Sequence, residues 1–195
     1  MSSTAGRRLR LAPQARREAI LVAARTAFAR RAYDRVGVVD VATTAGTSEA
    51  LLYRYFHSKA ELYASVVAAD TGALLAQRDA VLAALGPAPS PREAVRATLL
   101  VYLSDPAGWV SGVPTEPREA AAVRQHARAA WREGLTRLLE RTGERRRDYA
   151  LDGFFGFVES VSAVWRAAGR PTDEVPDVVA VCLGALEGAL AAPGR

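Results

Sequence analysis

The stretch Asp40-Val41-Ala42-Thr43-Thr44-Ala45-Gly46-Thr47-Ser48-Glu49-Ala50-Leu51-Leu52-Tyr53-Arg54-Tyr55-Phe56-His57-Ser58-Lys59-Ala60-Glu61-Leu62 decides the fold. It predicts two short helices, about Val38 to Ala45 and Glu49 to Phe56, on either side of Gly46-Thr47-Ser48, with Ser48 placed to cap the second. A helix-turn-helix needs a small residue where its helices nearly touch, a glycine or similar residue in the sharp turn, and apolar anchors beneath the second helix. Ala42, Gly46 and the set Val41, Ala45, Leu52 and Phe56 stand at those spacings. The second helix then turns Glu49, Ala50, Tyr53 and Arg54 outwards, with Leu51 and Tyr55 flanking them and its N-terminal amides free to face a phosphate. Ser58-Lys59-Ala60-Glu61 reads as a capping box that opens the next helix, the Glu61 carboxylate reaching back to the Ser58 amide.

Outwards from this segment the chain reads as helix throughout. Upstream, Ile20, Leu21, Ala24, Ala27 and Phe28 mark one face of an amphipathic helix from Arg16 to Arg31, preceded by a basic arm over residues 1–13. Downstream, the helix opened at Ser58 continues towards Leu85, with Gly72 a candidate bend, and stops at Gly86-Pro87-Ala88-Pro89. Ser90-Pro91-Arg92-Glu93 restarts a helix that runs to about Leu103. A proline-rich loop spans Asp105 to Pro117, a long helix follows to about Thr142, and Arg145-Arg146-Arg147 reads as a basic turn. Two further helices are expected, Tyr149 to Ala168 and Pro176 to Ala191. No segment alternates with period two, so the expected class is all-α: a three-helix N-terminal domain over 14–60 and a larger helical domain over 61–195.

The 195 residues carry a net charge of +5, and all of it lies in the first 70, where eleven basic side chains face six acidic ones. That asymmetry suits a chain with one end on a polyanion, and equally a solvated basic face. A single cysteine, Cys182, and two separated histidines, His57 and His126, leave no disulfide framework and no clustered metal site; no metal or cofactor is expected. No signal peptide or membrane span is legible, which suggests the cytoplasm. Paired carboxylates, a nucleophile elbow and a glycine-rich phosphate loop are all missing from the sequence, so no enzyme is expected.

The N-terminal segment resembles the tetracycline-repressor (TetR) family. Ile20 to Phe28, Tyr33, Asp40-Val41-Ala42, Ala45-Gly46-Thr47-Ser48 and Leu52 to Leu62 follow that family's pattern nearly position for position, within residues 16–67. The resemblance implies a DNA-binding domain followed by a ligand-binding and dimerising domain. By position, Tyr53 and Tyr55 are similar to aromatic residues that contact DNA, Lys59 to a phosphate-contacting lysine, and Thr43 or Thr44 to a phosphate contact on the second helix. Tyr55 reads equally well as a core residue. Lys59 is the chain's sole lysine beside 25 arginines. Ala32, Gly37, Glu49 and Leu51 depart from the family's usual residues, which bears on the operator sequence: Glu49 suits a cytosine amino group and Leu51 a thymine methyl.

In the C-terminal part, Leu151, Phe154, Val158, Val161 and Trp165 form one stripe, and Ala180, Gly184 and Gly188 form a small-residue row that permits close helix approach. Together they suggest a four-helix interface between two copies, the alternative being a buried hairpin within a monomer. Tyr102, Trp109, His126, Trp131, Phe155 and Glu159 are candidates for a ligand cavity, some of which can equally be plain core. Glu159 facing inwards would admit a cationic ligand unless Arg166, on the same stripe, neutralises it. The expectation is a homodimeric repressor that binds a palindromic double-stranded operator and releases it to a small-molecule effector. The alternative is a helical small-molecule-binding protein with no specific DNA site.

Overall fold

Apolar residues at steps of three and four, punctuated by serine caps, prolines and glycines, give α1 (Pro13–Arg30), α2 (Val38–Thr44), α3 (Glu49–Tyr55), α4 (Lys59–Ala84), α5 (Pro91–Ser104), α6 (Arg118–Leu138), α7 (Arg145–Ala167) and α8 (Val175–Ala191). The computed structural model describes residues 12–105, 116–139 and 145–191, among which no strand occurs. Trp109 and residues 1–11 of the basic arm lie outside them. The helix expected from Tyr149 begins at Arg145, so the three arginines read as a turn are its first residues. Nothing between Gly143 and Tyr149 breaks a helix, and Asp148 places an acid in the first turn. α4 is one helix through Gly72.

The described residues fall into two compact units. The first comprises residues 12–67 with 116–121, the second 68–105, 122–139 and 145–191. In the first, Ile20, Ala24, Val41, Leu52, Phe56 and Leu62 are almost fully enclosed. Phe28, Tyr33 and Tyr63 pack as an aromatic cluster beside them, Phe28 meeting Tyr63 edge-on at 4.7 Å.

In the second unit the core comes from α4 to α8. α5 starts on a full capping box: Ser90 Oγ accepts from the Glu93 amide at 3.3 Å, and the Glu93 carboxylate accepts from the Ser90 amide at 3.0 Å. The Ser90 hydroxyl, which donates to the same carboxylate at 2.6 Å, and then the Ser90 amide hold the Glu93 carboxyl below the usual carboxylate range. Trp165 donates its indole N–H to the Pro171 carbonyl at 3.0 Å, and so ties the end of α7 to the turn that leads to α8. That turn is a Schellman ending, with Gly169 at φ +90° and the Arg170 amide donating to the Trp165 carbonyl. The Arg78 guanidinium is buried, lies 5.1 Å from the Trp131 ring, and donates to the Ala130 carbonyl and to Asp79. Gly134 makes room for it, since a Cβ there would sit 2.9 Å from Arg78 Nη1. Burial pushes the Cys182 thiol up to about 11, leaving it unreactive.

The expected dimer residues divide in two. Leu151, Phe154, Val158 and Trp165 lie in the chain's own core, and Val161 is half-buried against it. Ala180, Gly184 and Gly188 are exposed. α7 is apolar on more than one face, and the widest stripe is consumed inside the chain. Leu151→Ala is therefore expected to lower urea-unfolding stability by roughly 2–5 kcal/mol as a core cavity. Tyr149→Ala, at a position 68% exposed, should stay within about 0.5 kcal/mol of the parent.

Candidate functional site

The turn between α2 and α3 follows from three backbone facts. Gly46 adopts φ +64°, a left-handed conformation that costs a residue with a Cβ and not glycine. Its amide donates to the Thr43 carbonyl at 3.0 Å, and the Thr47 amide to the Ala42 carbonyl at 2.9 Å, which completes a Schellman ending of α2. Ser48 Oγ then accepts from the Leu51 amide at 3.2 Å and caps α3. Arg16 of α1 donates to the Gly46 carbonyl at 3.3 Å, and Arg17 lies 5.0 Å from the Phe56 ring. Neither role was legible in the sequence, where both arginines counted only as charge.

On α3, Leu52 faces inwards while Glu49, Ala50, Tyr53 and Arg54 face solvent; Leu51 and Tyr55 are half-buried at the edges. Tyr53 is 39% exposed. Thr43 and Thr44 are exposed, and their hydroxyls donate back to the Val39 and Asp40 carbonyls at 2.9 and 2.8 Å. Lys59 Nζ rests 4.5 Å from the centre of the Tyr33 ring and donates to the Asp34 carbonyl. Burial first, then the negative charge of Glu119, raises the Tyr33 phenol above its ordinary value. The ring beside Lys59 therefore stays neutral.

The junction into α4 differs from the expected capping box in one bond. Ser58 Oγ accepts from the Glu61 amide at 3.0 Å as expected, but the Glu61 carboxylate accepts from the His57 amide at 2.8 Å rather than from Ser58, and lies 2.9 Å from His57 Nδ1. The carboxylate thus reaches one residue further back and gains a ring contact as well. These two His57 bonds, the backbone one first, hold Glu61 below the usual carboxylate range.

The cavity candidates separate. Tyr102 and Trp131, ring centres 5.9 Å apart and edge-on, line an apolar cavity with Val95, Leu99, Phe154 and Phe155, contributed by α5, α6 and α7. The cavity's volume is about 20 Å³, room for one water. His126 is exposed and lines no part of it. It stands between buried Arg124 and Ala127 on the outer side of α6. Glu159 is ion-paired at 2.6 Å with Arg128 of α6, not with Arg166, and so offers no free carboxylate to a cationic ligand. Arg128 was not singled out by the sequence. Among the described residues no group of three or more metal-ligating side chains occurs, and no helix is long and apolar enough to cross a membrane.

The capped third helix projecting from a glycine turn is a helix-turn-helix arrangement, and the described residues hold helices and no strand. Residues 20–66 match the family model of bacterial regulatory proteins of the tetR family. Over 123 residues it is 32% identical to the HTH-type transcriptional activator FasR of Mycolicibacterium smegmatis, which covers 59% of this chain and 55% of that protein. The chain thus spans about half the length of the curated relative it matches. In fold it is similar to a tetR-family transcriptional regulator from Streptomyces coelicolor, with a TM-score of 0.74 at 18% identity over 93% of this chain and 81% of the other. It is also similar to FadR from Bacillus subtilis, solved in complex with stearoyl-CoA, with a TM-score of 0.67 at 17% identity over 91% and 99% of the two chains.

Glu61 supplies a pH test of the junction. Its folded value is lowered, so its contribution is present above the unfolded value of about 4.3 and is lost as pH falls through the folded one. The stability gap between the parent and Glu61→Ala in urea melts should therefore be widest near neutral pH and close as pH drops below about 4. A gap independent of pH would mean that the carboxylate does not act through its charge.

Proposed function

We propose that this chain is a dimeric DNA-binding transcription regulator that reads a palindromic operator with α3 and is released from it by a small-molecule effector. Residues 14–60 serve as the reading domain and 61–195 as the effector and dimer domain. Such a regulator works in the cytoplasm, where the operator is. The observation that carries the reading is the outer face of α3, where Glu49, Ala50, Tyr53 and Arg54 face solvent on a helix anchored from beneath by buried Leu52 and Phe56. Tyr53, Arg54, Tyr55, Glu49, Ala50 and Leu51 would meet base edges and sugar-phosphate, with Thr43, Thr44, Ser48 and Lys59 on phosphates. The name of FasR as a transcriptional activator and the stearoyl-CoA complex of FadR support DNA regulation and effector binding respectively.

For the dimer the supporting face is the outer side of the α7–α8 pair. Gly153, Gly156, Phe157, Ser160 and Val164 form an exposed stripe on α7, with Ala180, Val181, Gly184 and Gly188 on α8. A Cβ at Gly153, Gly156, Gly184 or Gly188 would meet nothing within 4 Å. Nothing inside the protomer requires glycine at these positions, whereas close approach of a second copy does. Val164, 70% exposed, is the largest apolar loss if the face stays bare. α4 starts beside the reading helix and continues past Gly72, so an effector that changes its tilt alters the spacing of two reading heads, which one turn of DNA fixes near 34 Å. By linkage, effector and operator then weaken each other by the same factor.

A salt-dependent gel shift on the DNA upstream of its own gene tests the reading. Lys59→Ala should weaken all DNA sequences about equally and lower the salt slope by roughly one, while Glu49→Ala or Tyr53→Phe should change the preference between operator variants. A Lys59→Ala protein with unaltered slope would remove the phosphate contact. For the dimer, Val164→Arg should give a folded monomer in sedimentation at micromolar concentration and lose operator affinity with it. A dimeric Val164→Arg protein would send the interface elsewhere.

A further inference from the structure

His57 stands in the link between α3 and α4, one residue past buried Phe56 and two before Lys59. Its side chain is 84% exposed, yet the ring is held in place. Nδ1 lies 2.9 Å from Glu61 Oε2, the same atom that accepts from the His57 amide at 2.8 Å. The amide fixes where the carboxylate sits, and the carboxylate in turn fixes which way the imidazole points.

This geometry also decides which ring nitrogen titrates. Glu61 is kept below the usual carboxylate range, so it is ionised wherever an imidazole changes charge, and an ionised carboxylate can only accept. Nδ1 therefore carries a hydrogen in both charge states of the ring. The proton that comes and goes is on Nε2, on the side of the ring away from Nδ1 and Glu61. Neutral, Nε2 presents a lone pair; protonated, it presents a charged N–H.

The surrounding charges give that proton a consequence. Glu61 of α4 is in contact with the ring, Arg17 of α1 lies over the Phe56 ring and acts on Glu61, Arg54 stands in the last turn of α3, and Lys59 opens α4 with its ammonium on Tyr33. With His57 neutral, the pair it forms with Glu61 carries one negative charge beside the lysine proposed to hold a phosphate. With His57 protonated, the pair is neutral and offers a donor. A phosphate meets repulsion in the first state and a charge-assisted hydrogen bond in the second.

We propose that His57 is a proton-switched phosphate contact, donating from Nε2 to the DNA backbone only when the ring is charged. Since the protonated form binds more tightly, binding takes up protons, and DNA affinity rises as pH falls through the range in which imidazoles titrate. The contact carries no base preference, so the effect is common to all sequences. The proposal rests on the reading of residues 14–60 as a DNA-binding domain.

Fluorescence anisotropy of the full chain tests it at constant ionic strength, near pH 5.5 and near pH 8. The probes are a labelled duplex from upstream of its own gene and a scrambled duplex of the same composition. Both should bind about tenfold more tightly at the lower pH. His57→Ala should abolish that difference, whereas His126→Ala, at the chain's other histidine, should keep it. His57→Arg, charged at both values, should bind near pH 8 as tightly as the parent does near pH 5.5, a gain that a misfolded variant cannot produce. Equal parent affinity at the two pH values, a difference that survives in His57→Ala, or a His57→Arg protein no tighter than the parent at the higher pH would each overturn the contact. A difference confined to the upstream duplex would put the ring on a base and overturn the phosphate assignment. Any of these results alongside salt-dependent DNA binding keeps the regulator and removes only the switch, whereas no binding to either duplex at any pH, even at low salt, removes both.

Discussion

A helix can bury a stripe of its surface but not its whole girth, and where no sheet receives the stripe another helix must. This constraint governs both units. α2 and α3 are seven residues each, too short to hold together alone, and are stable only because Val41, Ala42, Leu52 and Phe56 all turn to the same interior. With those four positions committed, the side chains left over on α3 face solvent by necessity, and the surface proposed to meet DNA is the complement of the surface consumed in packing. In the second unit the same constraint acts on α7, which gives Leu151, Phe154, Val158 and Trp165 to the chain's own core and leaves a second, smaller-featured stripe without a partner.

Polar groups enclosed by this packing show which parts of the core are complete. Arg78 is buried yet satisfied by a carbonyl, a carboxylate and an aromatic face, with Gly134 clearing the space for it. Such a charge fixes how α4 meets α6, since any shift would leave it unpaired in a low dielectric. Three residues before Gly134 on α6, the Trp131 N–H is equally buried and has no partner. One helix therefore carries both a closed polar contact and an open one. The open one faces the cavity side of the unit, where an incoming acceptor would gain most.

Much of this was legible in the sequence, because the signals were local. Gly46 and Ser48 specify a left-handed helix ending and an N-cap through their own backbone and hydroxyl, and Ser90-Pro91-Arg92-Glu93 specifies its cap in the same way. The outward set on α3 followed from the period alone. What failed was the choice between competing faces of one helix. α7 has two apolar stripes, and only the three-dimensional packing of α5 and α8 decides which is inside. The outer stripe, Gly153, Gly156, Ser160 and Val164, was visible at the right spacing, but its small residues weigh little on a hydrophobicity scale. Long-range ion pairs such as Arg128 with Glu159 leave no sequence signal when the chain holds 26 basic and 21 acidic side chains to choose from.

The polar groups nearest the reading face are already engaged before DNA arrives. The Thr43 and Thr44 hydroxyls donate to their own helix, and Lys59 rests on Tyr33. Any contact these groups make with a phosphate would therefore replace an internal one, so its net worth would be a difference and not a whole bond. For Lys59 the proposed exchange would favour phosphate, since a cation–π contact near the surface is weak and a phosphate contact would also release a counterion. For the threonines the proposed exchange would be nearly even, so that they would orient more than they bind. On the proposed reading, base discrimination would then come from α3 residues with no internal partner to give up. Ala50 has no polar side chain to satisfy, and Tyr53 stands 39% exposed at the centre of the face. On the proposed reading the division is physical: the edges of the site would supply salt-dependent affinity at a discount, and the middle of α3 the preference for one sequence over another.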